Sequence, residues 1–100
     1  MRLTSAQIHE ITQTISRLTD ASAEIFLFGS RLDDQARGGD IDLLIETVTP
    51  LTLIDQARIK LELESRLKLP VDIVAEERNA VPTPFQQIAR ARAVRLDARS

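Results

Sequence analysis

One hundred residues with a formal net charge of -2 and 43% hydrophobic side chains make an ordinary soluble composition, with chain enough for one modest core in one domain. No broad basic field points to duplex nucleic acid, and the absence of cysteine excludes disulfides and thiol chemistry. No apolar stretch approaches the ~18 residues of a membrane span and the start carries no signal-peptide pattern, so the expected compartment is the cytoplasm.

Thr4 opens the first helix, with Gln7 three residues later as a capping box and an apolar stripe at Ile8, Ile11, Ile15 and Leu18 to pack on a sheet. His9 is the only histidine and lies one residue off that stripe; with no second histidine or cysteine beside it, it reads as a solvated helix residue. Ile25 to Phe28 is too short and too apolar for an amphipathic helix and reads as a buried strand ending at Gly29. Glycine there allows a sharp turn and a close approach of a ligand to the main chain. Ser30 stands where a helix N-cap would, with Asp33 three residues on, and free amides beside a hydroxyl at a helix start favour an anion. Arg31 follows directly, either to balance the charge of a phosphate or to pair with Asp33 or Asp34. Gly38-Gly39 is a flexible pair that lets the loop fold over a ligand.

The second strand, Asp40 to Glu46, begins with two aspartates separated by one residue. Alternation turns Asp40 and Asp42 to one side and Ile41, Leu43 and Ile45 to the core. Carboxylates about 6.6 Å apart along a strand at ~3.3 Å per residue can converge on one ion or a close pair, and oxygen ligands suit Mg²⁺ shared with substrate phosphates. A phosphate grip at Gly29 and Ser30 thus faces a metal site.

Thr47 to Pro50 ends this strand, and a long helix runs from about Thr52 to Lys68. Its apolar residues occupy two faces: Ile54, Ala57 and Leu61 on one, and Ile59, Leu63 and Leu67 on nearly the opposite one. One face covers the sheet; the other is either wrapped by the termini or a partner surface, a role the Ile59, Leu63 and Leu67 face would suit. Leu69-Pro70 breaks the helix, and Val71 to Val74 reads as a third buried strand with an aspartate inside it. A carboxylate in such a place needs a partner or a metal, which makes Asp72 the candidate third acid of the site, against a strand-end aspartate paired with an arginine. Glu76 and Glu77 read as solvated residues past the strand and as the fallback for that third acid. Thr83-Pro84 with Gln86 starts a further helix, to about Arg92, turning Phe85, Ile88 and Ala89 inward, and Ala93 to Leu96 reads as a short edge strand. Arg90, Arg92, Arg95 and Arg99 give this end a basic bias, either a solvated face or a contact for nucleotide or an acidic partner. Neither a P-loop nor a Gly-x-Gly-x-x-Gly dinucleotide pattern is present.

The pattern Gly29-Ser30, nine residues, Asp40-Ile41-Asp42-Leu43 between two apolar strands resembles the signature of the polymerase-beta-like nucleotidyltransferase superfamily, and the small size with Gly-Ser-Arg resembles its minimal nucleotidyltransferases, the MNT proteins. The expected fold is α/β (α+β), a small mixed sheet of three to four strands flanked by helices, and the resemblance makes this the nucleotidyltransferase fold. It implies that Asp40 and Asp42 hold two Mg²⁺ ions, that Asp72 matches the third acid supplied by a later strand, and that Gly29 and Ser30 hold the β- and γ-phosphates of ATP. It further implies transfer of AMP to a hydroxyl on another molecule, since larger relatives carry extra acceptor-binding domains. Small members of this kind accompany HEPN-domain proteins as antitoxin and toxin, attaching AMP to a tyrosine of the HEPN ribonuclease. The competing readings are a non-catalytic nucleotide-binding or stoichiometric antitoxin module, and a nucleotidyltransferase for small molecules such as antibiotics, which would need an oligomer to build its acceptor pocket.

Overall fold

The fold is seen in a computed structural model that describes residues 3–19, 22–28, 41–91 and 93–96. Its elements in chain order are α1 (Ser5–Leu18), β1 (Glu24–Phe28), β2 (Ile41–Thr47), α2 (Leu53–Leu67), β3 (Val71–Glu77), α3 (Pro84–Ala91) and β4 (Val94–Leu96). The strands form one sheet in the order β3-β2-β1-β4, with β1 antiparallel to β2 and β4, and β2 parallel to β3. A mixed sheet of four strands flanked by helices is the expected architecture. The parallel pair needs a crossover, and α2 supplies it.

The helix starts follow their side chains. Thr4 and Gln7 form a reciprocal capping box on α1, and Thr52 and Asp55 form another on α2. Thr83 and Gln86 exchange the same pair of bonds at 2.9 and 3.2 Å before α3. Helix α2 ends at Lys68, whose left-handed backbone (φ 59°, ψ 32°) turns the chain towards Pro70 and into β3.

One face of the sheet carries Ile25, Leu27, Ile41, Leu43, Ile45, Val71 and Leu96, and Ile8, Ile11 and Ile15 of α1 pack on it with Ile59 and Leu63 of α2. The α1 stripe is therefore the one its spacing predicts, and His9 is exposed as expected. For α2 the partner-surface expectation is corrected: Ile59 and Leu63 are wholly buried and Leu67 packs against them, whereas Ile54 and Leu61 are 72% and 67% exposed. Ile59, Leu63 and Leu67 carry three large aliphatic side chains against the two and an alanine of the other face, so burying them removes more apolar area from water, and the charges flanking the row agree with that rotation. Lys60 and Glu64 on one flank reach β3, while Glu62 and Arg66 on the other meet Arg17 and Glu10 of α1. Ile54, Ala57 and Leu61 are left lining a shallow surface groove with Arg58 and Glu62.

Two further expectations change. Ile88 is 67% exposed and does not point inward. Gln86 of α3 is tied to the sheet by a 2.9 Å bond from its side-chain amide to the Ala75 carbonyl, and a residue two positions on lies about 200° round the helix. The side chains of Phe85 and Ala89 lie outside the described residues. Strand β3 runs on to Glu77, so Glu76 is an interior strand residue, 7% exposed, and not a solvated one beyond the end.

Candidate active site

The face of the sheet opposite α1 and α2 is built in rows, because residues paired in register point to the same side. Three rows cross β1, β2 and β3: Phe28, Asp42 and Asp72; then Phe26, Leu44 and Val74; then Glu24, Glu46 and Glu76. The segments Asp42-Leu43-Leu44-Ile45-Glu46 and Asp72-Ile73-Val74-Ala75-Glu76 repeat one acidic spacing, and the parallel register sets Asp against Asp and Glu against Glu.

Asp42 and Asp72 stand side by side on adjacent strands, whose axes run about 4.8 Å apart. Asp42 is half-buried and the Asp72 side chain is 61% exposed. That exposure corrects the premise of a buried third strand: β3 is the edge of the sheet, and Asp72 opens to solvent. Among the described residues its ionic contact is a lysine, where the competing reading has an arginine, with Lys60 Nζ 3.5 Å from Asp72 Oδ1. Two neighbouring carboxylates, one of them largely exposed, are oxygen donors of the kind Mg²⁺ takes. The remaining predicted site residues, Gly29, Ser30, Arg31 and Asp40, lie outside the described residues, as do Arg92 and Arg99. Their chain neighbours do not: Phe28, which precedes Gly29, pairs with Asp42, and Ile41, which follows Asp40, pairs with Val71. The ends of β1 and β2 that lead to the Gly-Ser and Asp-x-Asp motifs therefore open at the sheet end that carries Asp72. Among the described residues no three acidic or histidine side chains are grouped as metal ligands.

The bottom row is a different structure. Glu46 is 5% exposed and takes a 2.9 Å contact from Arg78 Nε, whose guanidinium also donates to the Ser22 carbonyl. Glu76 lies four residues, about 13 Å, along the strand from Asp72 and does not replace it. Arg95, at the far edge, stands 3.7 Å from Glu24, a structural contact for one member of the basic C-terminal set.

What sequence reading missed is the support beneath Asp72. Glu64 Oε2 accepts the Val71 amide at 2.8 Å, and Lys60 Nζ donates to the Val71 carbonyl and lies 3.4 Å from Glu64. The Val71 amide holds the Glu64 carboxyl below its ordinary value; two arginines, Arg17 and Arg66, do the same for Glu62. The signal was present as Lys60 and Glu64 at i and i+4 on the flank of the buried row.

Comparison with known proteins adds the family. The profile described as "Nucleotidyltransferase domain" matches residues 7–97. A solved minimal nucleotidyltransferase is 32% identical, with a TM-score of 0.66, covering 89% of this chain and 88% of that one. A toxin–antitoxin complex with AMP-PNP aligns with a TM-score of 0.71 at 25% identity, over 95% of this chain and 73% of that one. A Shewanella oneidensis complex of a tri-AMPylated HEPN toxin with an MNT antitoxin gives a TM-score of 0.75 at 21% identity, over 95% and 72%, a likeness of fold. Comparison with curated protein sequences gives no match.

Proposed function

The chain belongs to the nucleotidyltransferase domain family, and on that premise we propose that it transfers AMP from ATP to a hydroxyl on a partner protein, with Mg²⁺ at the acidic end of the sheet. The observation that carries this is the register pairing of Asp42 with Asp72 on one face, at the end where the Gly-Ser and Asp-x-Asp motifs continue from β1 and β2. In this reading Asp42 and Asp72 hold the metal together with Asp40, and Gly29, Ser30 and Arg31 hold the β- and γ-phosphates. When bound, Mg²⁺ neutralises charge on the triphosphate and lowers the pKa of the acceptor hydroxyl.

The chain's own part is positioning and proton handling. In this reading the amides and hydroxyl at Gly29-Ser30 hold the triphosphate for displacement at the α-phosphorus. A new bond forms from the acceptor oxygen to the α-phosphorus, the bond from that phosphorus to the bridging oxygen breaks, and pyrophosphate leaves. The acceptor proton goes to Asp72, the exposed carboxylate at the sheet edge.

The acceptor is a hydroxyl of a HEPN-type protein, and this chain is its antitoxin. Support comes from similarity to chains solved in toxin–antitoxin complexes, one with AMP-PNP and one with an AMPylated toxin. The test uses ATP labelled at the α- or the γ-phosphate, incubated with this chain, a HEPN-type protein and Mg²⁺. Label from the α position alone should move onto the HEPN protein. Transfer of the γ label, or of neither label with a stable complex still formed, would overturn the proposal in favour of a kinase or a non-catalytic antitoxin.

A further inference from the structure

Strand β3 is an edge strand, and its first residue offers both peptide groups away from the sheet. The Ile41 amide bonds to the Pro70 carbonyl at 2.9 Å, so the ladder with β2 uses the group before Val71 and leaves the Val71 amide and carbonyl facing outward. An open edge of this kind presents unpaired N–H and C=O groups that need partners. Both groups are met by side chains of α2: Glu64 Oε2 accepts the amide at 2.8 Å, and Lys60 Nζ donates to the carbonyl. Glu64 and Lys60 also face each other at 3.4 Å. The clamped residue is the one that immediately precedes Asp72, in register with the residue that precedes Asp42.

We infer that Glu64 is a positioning residue for the acidic site, holding Asp72 beside Asp42 through the Val71 amide; this rests on the reading of Asp42 and Asp72 as metal ligands. Glu64 touches neither aspartate in the contacts described, so its effect runs through the backbone. A carboxylate receiving an N–H makes a charge-assisted bond, stronger than a neutral one, and the neutral amide of glutamine keeps the acceptor oxygen. Alanine keeps the helix and removes the acceptor. Both substitutions take from Lys60 one of its two carboxylates and leave it to Asp72, so the glutamine variant measures this charge effect and the difference between the two variants measures the backbone clamp.

The experiment compares wild type, Glu64→Ala, Glu64→Gln and Asp42→Asn, each measured well below its unfolding midpoint. The Val71 amide exchange rate is read by NMR without metal, and Mn²⁺ affinity is read by EPR in the presence of a non-hydrolysable ATP analogue, so that no turnover is required. Glu64→Ala should speed Val71 exchange and weaken Mn²⁺ binding about tenfold, the range for residues that orient metal ligands, while Glu64→Gln stays within about threefold of wild type. Equal losses in the alanine and glutamine variants would replace the backbone clamp with a simple charge effect and overturn the inference. Affinity lost in Asp42→Asn but kept in Glu64→Ala would overturn it while sparing the reading of the site. Affinity kept in Asp42→Asn would overturn the site reading, and the role of Glu64 with it.

Discussion

Asp42 on β2 and Asp72 on β3 are register partners in the parallel half of the sheet, thirty residues apart in the chain and brought to one face by the α2 crossover. Replacing either with asparagine keeps shape and removes charge. We expect Asp42→Asn and Asp72→Asn each to lower transfer roughly a hundredfold or more, the several kcal/mol that a metal site supplies. Asp72→Asn should leave stability within about 1 kcal/mol, because its contact with Lys60 is a surface ion pair. Single-turnover rates and urea unfolding of the same preparations check both parts.

The orientation of α2 gives a stability test with an internal control. Leu63→Ala opens a cavity in the core between α1, α2 and the sheet and should cost about 2–5 kcal/mol. Leu61→Ala, two residues away on the exposed face, should change stability by no more than about 0.5 kcal/mol. Equal losses in urea denaturation would contradict the assignment of the buried row.

The Glu46–Arg78 pair closes the far end of the sheet from the candidate site. Arg78→Met strips the buried Glu46 carboxylate of its guanidinium and should cost on the order of 2 kcal/mol, discounted from the usual penalty for a broken buried pair because Arg78 itself is about a third exposed. Urea denaturation at neutral pH reads the loss.

Much of the fold is legible in the sequence, for reasons that differ by element. The strands β1 and β2 announce themselves as apolar runs bounded by Gly29, Asp40 and Pro50, and α1 by its capping box and its 3-4-3 stripe. The rotation of α2 was not legible, because two apolar rows compete along the helix and the long-range partners of Glu62, Arg66, Lys60 and Glu64, which agree with the row that is buried, are visible only in the fold. The length of β3 was missed because Ala75, Glu76 and Glu77 lack β-branched side chains, although the repeat of Asp-x-x-x-Glu in β2 and β3 carries the information. The burial premise behind Asp72 fails because β3 is an edge strand, and the register with β2, which no local pattern reveals, is what sets it beside Asp42 on one face. Asp40, Gly29, Ser30 and Arg31 rest on the motif, outside the described residues.

The acid limb of stability follows from Glu62 and Glu64, both held below the ordinary carboxylate value of 4.5, Glu62 first by Arg17 and then Arg66, Glu64 first by the Val71 amide. A carboxylate with a depressed folded pKa contributes fully above its unfolded value and loses that contribution as pH falls through the folded one. The destabilisation caused by Glu62→Gln should therefore be present at pH 7 and fade below about pH 4.5. Thermal unfolding of variant and wild type at both ends of that window checks the sign.

The most direct test of the central claim is the intact mass of a HEPN-type partner protein after incubation with this chain, ATP and Mg²⁺, beside the Asp42→Asn and Asp72→Asn variants. The account predicts a gain of one or more AMP units with the wild-type chain and none with either variant. An unchanged mass with wild type, or an equal gain with the variants, would contradict it.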